Sequence, residues 1–92
     1  MTDSTFRVEV SGPALRALTR LAPKMADAVM RFLDGPLSEN PMRVTKPLGA
    51  ELAGLRSGYV GIAYRVLVRI DEERRVVEVM RISHRADAYR RF

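Results

Sequence analysis

The strongest constraint in this sequence is a pair of apolar runs joined by a charged turn. Ile62, Tyr64, Val66, Val68 and Ile70 alternate with Ala63, Arg65, Leu67 and Arg69, so residues 62–70 put one apolar set on one face of a strand. Asp71-Glu72-Glu73-Arg74-Arg75 makes a charged turn, and Val76 to Ser83 is a further run, apolar on both faces as a central strand would be. A two-stranded hairpin of this kind is not stable alone and needs its apolar face covered.

The cover must come from the preceding residues. Phe6, Val8 and Val10 alternate as a short strand. Ser11 is placed to cap a helix, with Pro13 in its first turn and Ala14, Leu15, Leu18, Leu21 and Ala22 as its apolar stripe. Pro23 opens a second helix with Met25, Val29, Phe32 and Leu33 on one face, and Gly35-Pro36 ends it. Residues 35–50, broken by Pro36, Pro41, Pro47 and Gly49, read as an ordered loop that carries Arg43 and Lys46. A weaker strand lies near Ala53 to Tyr59, and Ala86 to Arg91 fits a last helical turn.

This order, β-α-α-β-β-β, predicts an α+β fold: two N-terminal helices packed on one face of a twisted antiparallel sheet, with a short C-terminal tail or helical turn. At 92 residues the chain is expected to be a single domain, 1–92. No apolar run is long enough to span a membrane, and the N-terminus lacks the basic and apolar regions of a signal peptide. There is no cysteine and one histidine, which excludes thiolate zinc and a cysteine nucleophile and leaves no expectation of a metal or other cofactor. The lack of cysteine in so small a domain favours an intracellular setting.

Charge then points to partners. Sixteen Lys and Arg stand against eleven Asp and Glu, for a net +5, and only Lys24 and Lys46 are lysines. An arginine-rich surface suits planar contact with phosphate or carboxylate, although a high-GC coding bias gives the same excess. If Ile70 pairs with Val76, Arg65 falls opposite Arg81 on the face without helices. Like charges opposed in a sheet cost stability, and a phosphate backbone would relieve that cost. The alternative is that both arginines are solvated, or paired with Glu51, Glu78 or Asp87. Near the C-terminus, His84 is either a general acid/base or a hydrogen-bonded surface residue. Tyr89 is either a proton donor or an anchor for the tail. Ser83, His84 and Asp87 do not make a triad, because neighbours on a strand point to opposite faces and no nucleophile elbow is present. No glycine-rich phosphate loop, HExxH or EF-hand pattern occurs.

Several segments resemble the RelE/ParE superfamily of bacterial type II toxins, nearest its RelE branch. They are Gly35-Pro36-Leu37, Lys46-Pro47-Leu48, Glu51-Leu52-Ala53-Gly54-Leu55, Tyr64-Arg65-Val66-Leu67 with Arg69-Ile70-Asp71, and Ile82-Ser83-His84-Arg85-Ala86-Asp87-Ala88-Tyr89-Arg90. Each is short, but they occur in this order over nearly the whole chain. The resemblance implies a cytoplasmic, metal-independent endoribonuclease that enters the ribosomal A site and cuts mRNA by attack of a ribose 2′-OH on the adjacent phosphate. It implies phosphate stabilisation by Arg65 and Arg85, proton transfer or stacking by Tyr89, and assistance from His84. Lys46 and Arg56 would bind rRNA or mRNA phosphates. Arg81, from the hairpin pairing and not a catalytic position of the family, and Arg43, from the loop, are further RNA-contact candidates of second rank. The resemblance also implies a small, acidic, DNA-binding antitoxin as partner, and contact with operator DNA only through that complex. Ser57 to Ala63 departs from the family, being apolar and one residue longer where many relatives carry basic residues. Two alternatives follow: a ParE-like inhibitor of DNA gyrase that cuts nothing, and a catalytically weakened toxin that acts mainly through its antitoxin complex.

Overall fold

The computed structural model describes residues 5–49 and 54–84. Strand β1 (Arg7–Val10) leads into helices α1 (Gly12–Arg20) and α2 (Pro23–Asp34) and two single-turn helices, α3 (Pro36–Glu39) and α4 (Pro41–Val44). Strands β2 (Lys46–Pro47), β3 (Arg56–Val60), β4 (Tyr64–Asp71) and β5 (Val76–His84) follow. All five strands form one sheet in the order β1-β5-β4-β3-β2. The expected helical turn at 86–91 lies outside the described residues.

Helix α1 begins where capping chemistry puts it. The Ser11 hydroxyl accepts from the Ala14 N–H at 3.3 Å and donates to the Met80 carbonyl at 2.9 Å. One side chain thus caps α1 and ties it to β5. Residues 36–39 and 41–44 are helical, where the sequence reads as loop. Pro36 and Pro41 are first residues of helical turns, positions at which a missing N–H costs nothing. In α1 the packed residues are Ala14, Ala17 and Leu18, followed by Leu21 at its C-cap, while Leu15, expected in the stripe, is 52% exposed.

The pairs β2–β3, β3–β4 and β4–β5 are antiparallel, but β1 runs parallel to β5, from Arg7 opposite Val76 to Val10 opposite Val79. The expectation of an all-antiparallel sheet fails at this edge. These two strands are the first and last in the chain, so no hairpin turn dictates their relative direction. The core lies between the helices and one sheet face. Val60, Val66, Val68, Val77, Val79 and Ile82 meet Ala14, Val29, Leu33 and Leu37 there.

Two features of the main hairpin differ from the alternation in the sequence. Ile62 is not a strand residue: Val60 pairs with Tyr64, Gly61 takes φ +62°, and Ile62 sits in the turn, 85% exposed. The second is a register shift. Asp71 pairs with Val76 and Ile70 with Val77, whereas Leu67 pairs with Arg81 and Val68 with Val79, so Met80 is an extra residue in β5. This β-bulge inverts the alternation. Val77, Val79 and Ile82 all reach the core, and β5 therefore has one apolar face that changes phase, not two apolar faces. The turn itself is closed by the Arg74 N–H donating to the Asp71 carboxylate at 3.1 Å.

Gly58 of β3 lies against the helical layer. A Cβ there would stand 3.0 Å from the Phe32 ring and 3.1 Å from the Val44 carbonyl. Gly58→Val is expected to destabilise the domain by about 1–3 kcal/mol through overpacking, read as a lower urea midpoint at unchanged slope.

Candidate functional site

Strand register assigns the polar residues to faces. Cross-strand partners share a face, so Lys46, Ser57, Leu67 and Arg81 form one row on the side opposite the helices. Tyr59, Arg65 and Ser83 form the next row on that side. The expected direct opposition of Arg65 and Arg81 does not occur: Arg65 faces Ser83, and Arg81 faces Leu67. The bulge is the reason, together with the turn closing at Val76 opposite Asp71. Both arginines nevertheless stand on the face opposite the described helices, as diagonal neighbours.

At the β2–β3–β4 end of this face is a groove of about 460 Å³ lined by Arg43, Val44, Lys46, Pro47, Leu48, Ser57, Gly58, Tyr59 and Arg65. Three of these residues are cationic and none is acidic. The Arg65 guanidinium carbon is 5.9 Å from the centroid of the Tyr59 ring, at the outer limit of a cation–π contact. Arg65 is half-buried and Tyr59 is 49% exposed, so the arginine is bordered by the ring and the ring keeps surface facing solvent.

A second groove, of about 290 Å³, lies at the other end of the same face. It mixes signs, with Arg7, Arg69 and Arg74 beside Glu9, Asp71 and Glu78, and Arg7 pairs with Glu9 at 3.2 Å. Its charges largely cancel. The groove around Arg65 is the one whose described lining favours an anion.

The fold thus gathers Arg43, Lys46 and Arg65, with Arg81 one row away. It places Arg56 elsewhere. Arg56 pairs with Val68, on the core side, and donates to the Thr45 hydroxyl at 2.8 Å and to the Thr45 and Met42 carbonyls at 2.9 and 3.2 Å. That guanidinium closes the end of α4. His84 pairs with Tyr64, and the two rings meet edge to face at 5.4 Å. By alternation this is the face opposite Arg65. Arg85 and Tyr89, with Glu51 and Asp87, lie outside the described residues.

Tyr59 belongs to no motif that marks it as a site residue in the sequence. Its signal was present: a turn at Gly61 pairs Val60 with Tyr64 and so sets Tyr59 directly across from Arg65.

Comparison with known proteins gives a consistent answer. Residues 8–89 match the family described as the ParE toxin of type II toxin–antitoxin system, parDE. The chain is 46% identical over 86 residues to Toxin RelG of Mycobacterium tuberculosis, covering 94% of this chain and 98% of that one. It is 41% identical over 88 residues to Toxin RelE of the same organism, covering 96% and 90%. The crystal structure of the toxin–antitoxin complex RelBE2 from Mycobacterium tuberculosis contains a chain that superposes with a TM-score of 0.83 at 43% identity, covering 88% of this chain and 99% of that one.

Proposed function

The chain belongs to the ParE toxin family and is a toxin of a type II toxin–antitoxin system, and from that premise we propose that it is a metal-independent, ribosome-dependent endoribonuclease acting on mRNA. The observation that carries this reading is the groove in which Arg65 sits with Lys46, Arg43 and Tyr59, with no carboxylate among its described lining. A nuclease of this kind needs little more than a cation on the reacting phosphate, cations along the flanking backbone, and a route for two protons.

The reaction balances without a co-reactant. The ribose 2′-oxygen attacks the adjacent phosphorus and loses its proton. The bond from phosphorus to the 5′-oxygen breaks, and that oxygen gains a proton. A 2′,3′-cyclic phosphate and a 5′-OH remain. Arg65 and Arg85 hold the non-bridging oxygens as charge builds on them, while Lys46, Arg43 and Arg81 follow the backbone. Tyr89 serves proton transfer, whereas His84, on the opposite face of the sheet, packs against the Tyr64 ring. Arg56 acts at one remove, by holding the corner that presents Lys46.

The partner of this basic protein would be an acidic antitoxin that folds on binding, covers the groove and supplies the DNA-reading element for operator DNA. In support, the similar chain in RelBE2 was solved within a toxin–antitoxin complex. A target on the ribosome places the activity in the cytoplasm. Among the described residues no helix is long and apolar enough to cross a membrane.

The test is translation in vitro with the purified protein and a defined message, followed by primer extension. Cleavage inside codons is expected, and only when ribosomes are present. An intact message at saturating protein would sink the nuclease reading. Loss of DNA gyrase supercoiling by the same preparation would then select the ParE-like alternative.

A further inference from the structure

Resting on the reading of the groove as the RNA site, we propose that Tyr59 is a base-stacking residue, which holds one nucleobase of single-stranded RNA beside the phosphate bound by Arg65. Tyr59 is a large aromatic one residue from the end of β3, yet 49% exposed on the sheet face that carries none of the described helices. It is the direct cross-strand partner of Arg65, with 5.9 Å between guanidinium and ring. Base and phosphate of one nucleotide are joined through a single ribose, so one nucleotide reaches both groups. The backbone that carries the ring is also well anchored. Its neighbours Gly58 and Val60 are buried, and Gly58 is packed against Phe32 and Val44, which holds this part of β3 against the helical layer.

The rest of the groove fits the same ligand. Lys46 and Arg43 offer charge for backbone phosphates, and Ser57 a hydroxyl, but Tyr59 is the sole aromatic in the described lining. A cationic track with an aromatic platform suits single-stranded nucleic acid, because every base has a π face and stacking tolerates any sequence. Duplex RNA keeps those faces stacked inside its helix and would leave the ring unused. An acidic peptide would use the same cations but has no obligatory planar group for Tyr59.

The stacking claim is tested by binding, separately from cleavage. Ribosomes are programmed with messages that carry 2′-deoxy sugars across the A-site codon, which removes the attacking hydroxyl. Each codon position is then made abasic in turn. The wild-type protein is expected to lose about fivefold to a hundredfold in affinity at one position when the base is removed. Tyr59→Leu, which keeps an apolar side chain suited to a strand, is expected to bind the intact and abasic messages equally. Tyr59→Phe should behave as the wild type, since stacking needs the ring and not the hydroxyl. The proposal is overturned if the wild type is indifferent to the base at every position. It is also overturned if Tyr59→Leu still loses affinity on the abasic message, or if Tyr59→Phe behaves like Tyr59→Leu. If the base-dependent binding is found but the all-ribose message stays intact, stacking by Tyr59 stands and the nuclease reading falls. If the wild type binds programmed ribosomes no better than empty ones, both fall.

Discussion

Arg65→Ala is expected to lower the single-turnover rate of mRNA cleavage by about a hundredfold to a thousandfold, the usual effect of removing one preorganised charge from a developing oxyanion. The argument is geometric. Arg65 projects from the middle of the sheet, between β3 and β5, and its position is set by two strand pairings and the Tyr59 ring. A group held by strands pays little reorganisation when charge appears on the phosphate. Arg65→Lys keeps the charge but loses the planar fork that spans two phosphate oxygens, so an intermediate loss is expected. Rapid quench on programmed ribosomes gives the rate, and melting curves show that neither variant is unfolded. An unchanged rate in Arg65→Ala would remove this residue from the reaction.

Leu33→Ala should produce the largest loss of stability. Leu33 is 1% exposed at the C-terminal end of α2, in the core cluster that joins α2 to the buried face of the sheet. Truncation removes the transfer energy of the side chain and leaves a cavity that packed strands cannot collapse into, at about 2–5 kcal/mol. A domain of this size has only about 5–15 kcal/mol in total. The melting temperature should fall on the order of 10–30 °C. A drop of a few degrees would mean that α2 can settle onto the sheet and fill the space.

Much of this fold is legible in the sequence because it rests on local chemistry. The Ser11 cap, the prolines at helix starts and the strict alternation across Val66, Val68 and Ile70 each specify an element through a few neighbouring residues. The failures are those that depend on distant pairing. Nothing near Arg7–Val10 reveals that its partner strand runs parallel, and nothing in Val76–Ser83 marks where the register shifts. Pro36 and Pro41 read as breaks because proline both ends and begins helices, and only the residues that follow decide which.

The site was legible to a similar depth. Arg65, Lys46 and Arg43 are each nameable from the sequence, but that they line one groove follows from strand pairing and the fold of residues 36–47. Arg56 has the right charge and sits one residue before Ser57, but strand alternation turns it to the other face, where Thr45 and Met42 receive it. The stretch from Ser57 to Ala63, which lacks the basic residues of many relatives, holds Tyr59 instead. Its position opposite Arg65 follows from the turn geometry and not from any motif.

The extra residue in β5 works like an inserted beat in a two-beat rhythm. Everything from the turn to Val79 keeps one count, and everything from Arg81 to His84 keeps the other. Removing Met80 alone would leave one count throughout: Val77, Val79 and Ile82 would stay inside, and Arg81 and Ser83 would stay on the open face. The tolerance of this protein to deletion should therefore be uneven along one strand: a residue lost at position 80 preserves the faces, and one lost at Glu78 turns a valine outward. The chemistry-bearing end of the sheet stays in phase because the strand leaves Met80 out of the count.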